Sequence, residues 1–166
     1  MALTKVQPEM MQQLTPAIMP AGSVIQTVVT NFPTYLSGNN GSYADVTGFS
    51  LTITPISVTS KILILYSING ITTGTNAATS YPVYFQLTDG SNNQILQLMN
   101  NYVPGGNQVY GEDGYSGSYL HSPATTSPYT YKIRVKDDGS SHGWVINNYS
   151  TTAANYSSLV AMEIKQ

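Results

Sequence analysis

The sequence contains no cysteine, so neither disulfides nor thiolate metal sites contribute to its fold. Charged residues make up only 8% of its 166 residues, against about 25% in an average soluble domain. The formal net charge of −2 excludes a general basic surface for nucleic acid. No apolar run is long enough to span a bilayer, which argues against a membrane protein.

The first 21 residues also lack the continuous apolar segment of a signal peptide. They hold four of the six methionines and three of the nine prolines, and they offer no core of their own. This composition predicts a short non-globular N-terminal arm over residues 1–21, either frayed or ordered by a partner. The apolar residues expected to contact that partner are Leu3, Val6, Met10, Met11 and Leu14.

Residues 22–166 read as one domain of short strands separated by Gly, Asn, Asp and Pro turn signals. The predicted strands are Ser23–Thr30, Ser42–Val46, Ser50–Thr54, Lys61–Ile71, Tyr81–Thr88, Gln94–Met99, Gly117–His121, Tyr129–Lys136, Gly143–Asn147 and Ser158–Lys165. So many short strands without an internal helix predict an all-β fold, an antiparallel two-sheet β-sandwich.

Two of these strands are apolar on both faces, in the runs 62–66 and 159–164, the second interrupted by Glu163. An antiparallel strand usually keeps one wet face, so both faces here need a cover. The opposing sheet can cover one face and a partner subunit the other. A closed three-fold ring would cover the second face on every copy, so we predict a homotrimer. The residues predicted to line the trimer interface are Ile62, Ile64, Tyr66, Leu159 and Ala161.

The strand Tyr129–Lys136 instead alternates apolar residues with Lys132, Arg134 and Lys136. We expect these cations to face outward or to lie at a sheet edge. Three charges are too few for nucleic-acid binding, and they suit solubility or contact with an acidic protein surface.

Signals for catalysis are thin, and we predict no catalytic residue, no metal site and no cofactor. His121 and His142 belong to no zinc-binding pattern, and the acidic pair Glu112 and Asp113 has too few neighbouring oxygen ligands for calcium. Tyrosines gather around that pair, and such side chains suit protein interfaces and sugar stacking alike. The tyrosines of this possible ligand loop are Tyr102, Tyr110, Tyr115 and Tyr119.

Several segments resemble a module common in virion proteins of tailed bacteriophages. They are Leu51–Ile64, Pro20–Gln26, Gly117–Pro123, Tyr129–Val135 and Val160–Ile164. The resemblance covers nearly the whole chain from Pro20 onward. It implies a jelly roll related in shape to the tumour-necrosis-factor and C1q trimers, in which the sheet holding the C-terminal strand packs on the three-fold axis.

The resemblance also implies a setting. We expect a non-enzymatic, trimeric capsid decoration (cement) protein on the virion surface, made in the host cytoplasm without a signal peptide. Its partners would be itself and the phage major capsid protein, which the arm would contact. The alternative is a receptor- or glycan-binding tip of a tail fibre or minor tail protein, which would bind a host surface glycan through the tyrosine loop. An enzyme on the same scaffold, such as a polysaccharide hydrolase using Glu112, is a third reading.

Overall fold

The computed structural model describes residues 15–16, 18–72, 81–103, 113–139, 143–147 and 156–166, and this part of the chain is built from strands. The strands are β1 (Val24–Phe32), β2 (Leu36–Gly38), β3 (Ala44–Ile53), β4 (Lys61–Ile71), β5 (Tyr81–Asp89), β6 (Gln94–Val103), β7 (Asp113–His121), β8 (Tyr129–Lys136), β9 (Trp144–Ile146) and β10 (Ser157–Ile164). Within the described residues, no helix is long and apolar enough to cross a membrane.

Eight of the described strands form two four-stranded antiparallel sheets. Sheet I has the order β1-β10-β4-β7 and sheet II the order β3-β8-β5-β6, while β2 and β9 pair as a short separate ladder. Taken in sequence, these eight strands alternate between the two sheets at every step except the β5–β6 hairpin. Such crossing between two sheets is the connectivity of a jelly roll, and the predicted antiparallel two-sheet sandwich is confirmed.

The core lies between sheets I and II, where alternate residues of each strand point inward. On β4 the buried positions are every second residue from Ile62 to Ile68, which is the period of two that a strand imposes. Opposite them β8 buries Tyr131, Ile133 and Val135. Removing this apolar surface from water is the main favourable contribution to folding.

The strand prediction differs from the structure at several points: β6 and β7 are each four residues longer than predicted, and β3 and β2 differ more strongly. The predicted strands 42–46 and 50–54 are one strand, β3, whose pairing with β8 shifts register between Asp45 and Ser50. Gly48 lies inside this irregular stretch at φ 87°, a conformation that favours glycine. No strand was predicted over β2, because its residues Ser37 and Gly38 are typical of a turn. A Cβ on Gly38 would lie 2.6 Å from the ring of Trp144, so this glycine lets β2 and β9 approach closely.

A buried polar side chain ties three strands together near β9. Asn147 is fully buried, and its amide nitrogen donates to the carbonyl of Phe32 at 2.7 Å. Its amide oxygen accepts from the hydroxyl of Ser157 at 2.7 Å, and its backbone N–H donates to the carbonyl of Asn69 at 2.9 Å. Because each of these groups is paired, the cluster avoids the cost of burying free polar atoms.

The last residues of segment 1–21, which we call the leader, lie beside the C-terminal end of β10. The N–H of Gly22 donates to the carbonyl of Lys165 at 2.7 Å, and the N–H of Lys165 donates to the carbonyl of Ser23 at 2.9 Å. The Lys165 ammonium donates to the carbonyl of Met19 at 2.6 Å. The leader therefore joins the domain at the end of the sandwich that holds the C-terminal end of β10.

Candidate interaction surfaces

The residues predicted to line a trimer interface lie inside the protomer. They are buried or almost so: Ile62, Ile64, Tyr66, Leu159 and Ala161. All of them belong to the core between the two sheets, where sheet II of the same chain covers them. The prediction that these side chains meet a partner is therefore wrong, because it chose the inward face of strands whose two faces are both apolar.

The middle of the outward face of sheet I is apolar and open to solvent, and on β4 it is flanked by Lys61 and Ser67. Strand pairing aligns Val160 with Val29 and Leu65, and it aligns Met162 with Leu63. Leu63, in turn, is paired with Leu120 on β7. We call this surface the outer apolar face, and it consists of Val29, Leu63, Leu65, Leu120, Val160 and Met162.

Exposure on the outer apolar face is high for side chains of this kind. Val29 is 54% exposed and Leu120 is 48% exposed, and the other four side chains are half-buried by their neighbours. Thr27 and Ser118 complete the two rows, and no charged residue lies in them. Clustered apolar side chains on a strand face typically mark a surface that another protein covers.

The outward face of sheet II has the opposite character. Asp45 accepts a hydrogen bond from Lys132 at 2.8 Å and another from Arg134 at 2.9 Å. The hydrogen bond from Lys132 is the largest cause of the lowered pKa of Asp45, and the Arg134 guanidinium adds to it. The Lys136 ammonium lies over the rings of Tyr84 and Tyr43, 4.7 and 5.1 Å from their centroids.

These contacts locate the basic stripe that the sequence predicted. It lies on β8, between β3 and β5, so the cations face outward from the middle of a sheet and not from its edge. Two of the three cations are paired with Asp45 and the third is stacked on tyrosines. A sheet face whose cations are paired or stacked in this way is suited to contact with water.

The tyrosines predicted to form a ligand loop are not gathered in one loop. Tyr115 and Tyr119 lie on β7 of sheet I, and Tyr102 belongs to β6 of sheet II. The ring of Tyr115 stacks on that of Tyr66, with centroids 6.0 Å apart. The side chain of Tyr102 and the whole of Tyr110 lie outside the described residues.

His121, at the end of β7, is surrounded by tyrosines. Its Nδ1 is hydrogen-bonded to the hydroxyl of Tyr131 at 2.8 Å, and the rings of Tyr129 and Tyr119 are centred 5.4 and 6.4 Å from its own. Burial lowers the pKa of His121, although the charge of Asp89 acts in the opposite direction. The geometry is that of a packed aromatic cluster.

Glu163 is the charged residue that interrupts the apolar run of β10, and it is fully buried. One carboxylate oxygen accepts from the backbone N–H of Ile56 at 2.8 Å, and the other accepts from the side-chain amide of Gln26. Burial alone raises the pKa of this carboxyl. The hydrogen bonds from Gln26 and the loop backbone outweigh it, and the net pKa is lowered. Glu163 thus holds the β3–β4 loop against the end of sheet I.

The remaining predicted residues fall outside the described part of the chain. These are the arm residues Leu3, Val6, Met10, Met11 and Leu14, together with His142 and Glu112. Among the residues that the structure does describe, no group of three or more His, Asp or Glu side chains could hold a metal ion.

This chain is similar to known proteins in its structure and not in its sequence. No family model matches the chain, and no curated protein matches it. Among solved structures, infectious bursal disease virus VP2 in its subviral particle is similar at a TM-score of 0.42 with 13% identity, over 86% of this chain and 34% of that one. The Gx strain of the same virus gives a TM-score of 0.41 and 13% identity, over 86% and 38%.

The enzymatically active domain of tailspike protein 4 from bacteriophage CBA120 is similar at a TM-score of 0.28 and 11% identity, over 82% of this chain and 20% of that one. The chain therefore spans between a fifth and two fifths of the length of these proteins. Similarity at this level transfers no property of those proteins to this one. The class defined here is that of a two-sheet β-sandwich with jelly-roll connectivity.

Proposed function

We propose that this chain is a non-enzymatic structural protein of a bacteriophage virion, a trimeric decoration protein attached to the head shell. The observation that carries the proposal is the contrast between the two outward faces of the sandwich. Sheet II presents paired charges to water, whereas sheet I presents Leu63, Leu65 and Val160 in two rows that hold no charged residue. A second copy of the chain is the partner that suits an uncharged apolar sheet face.

The position of the outer apolar face supports a three-fold arrangement. The face belongs to the sheet that contains the C-terminal strand β10, which is the sheet that the module resemblance implies at the three-fold axis. A closed ring of three copies turns each such face toward the axis and leaves the charged face of sheet II outside. This orientation accounts for both outward faces with one arrangement.

The virion setting is supported by the segments that carry the resemblance. These segments coincide with the start of β1, the β3–β4 region and the strands β7, β8 and β10. They therefore supply strands to both sheets. The arm of residues 1–21 is proposed to reach the major capsid protein through its methionines and leucines.

The experiment that tests this function combines location and mass. Antibody against the purified protein, visualised by gold labelling of intact particles, is expected to mark the head, and light scattering of the free protein is expected to give the mass of three chains. Label confined to the tail would replace the decoration role with that of a fibre tip or minor tail protein. A stable monomer would remove the trimer.

A further inference from the structure

We infer that the end of the sandwich at which the leader joins the domain is the surface that docks onto a virion protein, and that it binds an uncharged, apolar patch there. This docking end consists of Ile18 in the leader, Val24 at the start of β1, and Ile56 and Val58 in the β3–β4 loop. The inference rests on the proposed function for the origin of the partner. Beyond that function, it specifies which side of the molecule contacts the partner.

All four aliphatic side chains of the docking end are exposed to solvent. Ile18 and Ile56 are each 53% exposed, Val58 is 57% exposed and Val24 is 45% exposed. They come from three separate segments of the chain, so no single amphipathic element accounts for them. Single exposed aliphatic residues are common on protein surfaces, but several on converging segments form a patch that favours a partner.

A groove shows that these segments converge. Its volume is about 190 Å³, and its lining includes Pro16 of the leader, Ile25 of β1, Ile56 of the β3–β4 loop and Lys165 beyond β10. An apolar cavity of roughly 150 Å³ holds a molecule the size of benzene, so this groove can receive an aliphatic side chain.

The charges around the groove favour an uncharged occupant. Lys165, the one cation among the lining residues just named, already donates to the carbonyl of Met19. The nearby carboxylate, Glu163, is fully buried and accepts hydrogen bonds from the loop. Among the side chains that line the groove, a strongly charged partner would therefore find no complementary group, whereas apolar side chains would be covered by Ile25 and Ile56.

The β3–β4 loop is held in place before any partner arrives. Glu163 accepts from the N–H of Ile56, and Gln26 donates to the carbonyl of Thr54 at 2.7 Å. The N–H of Ser60 also donates to the carbonyl of Ser57, at 3.2 Å, which closes a turn. A loop with its backbone paired in this way loses less conformational freedom on binding, so its apolar side chains contribute more to affinity.

The leader supplies the link to the partner. Residues 1–14 carry the apolar residues of the proposed arm. Pro16 lines the groove, so the arm joins the domain at the docking end. The arm and the docking end are therefore placed to contact the same partner, with the opposite end of the sandwich directed away from it.

The absence of native cysteine allows a direct test with single thiols. Val58→Cys places one thiol at the docking end, and Tyr156→Cys places one at a residue that is 58% exposed at the opposite end of β10. Each trimer is labelled with a benzophenone maleimide, bound to particles grown without the protein, irradiated and analysed by mass spectrometry. We expect Val58→Cys to cross-link to a head shell protein, and Tyr156→Cys to give no such product.

A companion measurement uses rebinding. Ile56→Ser combined with Val58→Ser is expected to weaken binding to the same particles by at least roughly tenfold, since each covered aliphatic side chain contributes about a factor of ten. The matched control Tyr156→Ser should bind as the unaltered protein does. Light scattering must give the same mass for all three, so that a defect in assembly is not read as a defect in docking.

The outcomes separate this inference from the function on which it rests. Cross-links from position 58 to a tail protein would support the docking end while refuting the head location. Cross-links from position 58 only to another copy of the chain, or from position 156 in preference, would overturn the docking end. Normal rebinding of the double serine variant would overturn it as well, whereas protein that binds no particle at all would refute the function and the inference together.

Discussion

Tyr66 and Gly117 face each other across neighbouring strands of sheet I, and the space between them is filled by the tyrosine ring. Gly117 is paired with Tyr66 in the β4–β7 ladder, and a Cβ on this glycine would lie 2.8 Å from Cζ of the ring and closer still to its hydroxyl oxygen. The ring also stacks on Tyr115, so it cannot move away freely. Glycine is therefore needed here for close approach, although its φ is not of the left-handed kind.

Gly117→Ala is expected to destabilise the protein by about 1–3 kcal/mol, because the added methyl group forces the Tyr66 ring out of its position. Urea unfolding followed by circular dichroism measures this change. Ser118→Ala, one residue further on the same strand and facing outward, is the matched control and should change little. Adding Tyr66→Phe to Gly117→Ala should restore part of the stability by removing the nearest atom; no recovery would contradict the steric explanation.

His121 makes stability depend on pH. Its pKa is lowered by burial from an ordinary value of 6.5, so the unfolded chain binds a proton at a higher pH than the folded chain does. The sign follows from linkage: stability is complete above about pH 6.5 and is lost as the pH falls from there toward the folded pKa. Thermal unfolding between pH 7.5 and 5.5 should show this decrease, and His121→Gln should flatten it. An equal slope in the variant would assign the effect to another group.

Among the elements, β4 and β10 illustrate how far sequence patterns reach. Both were predicted from apolar runs, and both are strands, paired with each other in sheet I. Their bounds are close to those predicted because β-branched residues and flanking turn signals mark them. The pattern could not tell which face points inward, because a strand with equal apolar residues on both faces carries no orientation signal.

The short elements were harder to predict for a different reason. β2 has three residues and the composition of a turn, and it exists because Trp144 on β9 packs over Gly38. The register shift around Gly48, which β3 accommodates without a break, also depends on the partner strand β8. Both features depend on residues about a hundred positions away, which local propensity does not contain.

The β3–β4 loop is held by the buried carboxylate of Glu163. Glu163→Gln is expected to cost about 1–3 kcal/mol at pH 7, because a carboxylate that accepts several hydrogen bonds is replaced by a group that accepts fewer. Hydrogen exchange should show faster exchange of the Ile56 N–H in the variant. An unchanged rate would mean that the carboxylate does not hold the loop.

The pH dependence of the Glu163→Gln variant tests whether the charge of Glu163 causes the loss of stability. The pKa of Glu163 is lowered from an ordinary value of 4.5, so its contribution is complete above that pH and is lost as the pH falls through the folded pKa. The stability difference between the unaltered protein and Glu163→Gln should therefore shrink in acid. A difference that stays constant down to pH 3 would exclude the charge as its cause.

For the whole molecule, the two outward faces decide how it is expected to assemble. Sheet II resembles an ordinary solvated sheet, with Asp45 pairing two cations. Sheet I resembles half of an interface, and an ionised side chain placed in it would be buried without a partner if a second copy covers it.

Leu65→Glu is accordingly expected to convert the proposed trimer to folded monomers, measured by sedimentation velocity or light scattering. Leu65 lies between Val160 and Ser118 in the outer apolar face, and a carboxylate there would lose its water on assembly. Thr52→Glu places the same charge on an exposed position of β3, on the outward side of sheet II, and should leave the mass unchanged. Loss of the trimer in both variants, or in neither, would contradict the assignment of the outer apolar face.

The amino-acid sequence was sufficient to establish the class of fold, most strand positions and the presence of strands with two apolar faces, because strand propensity, turn residues and the period of two are local properties. It also located Glu163 as the exception in β10. The tertiary structure was needed to show that Ile62, Ile64 and Leu159 face the core while Leu63, Leu65 and Val160 face outward. The reason is that orientation, and the convergence of the leader with the β3–β4 loop, arise from the packing of the two sheets against each other and not from any segment in isolation.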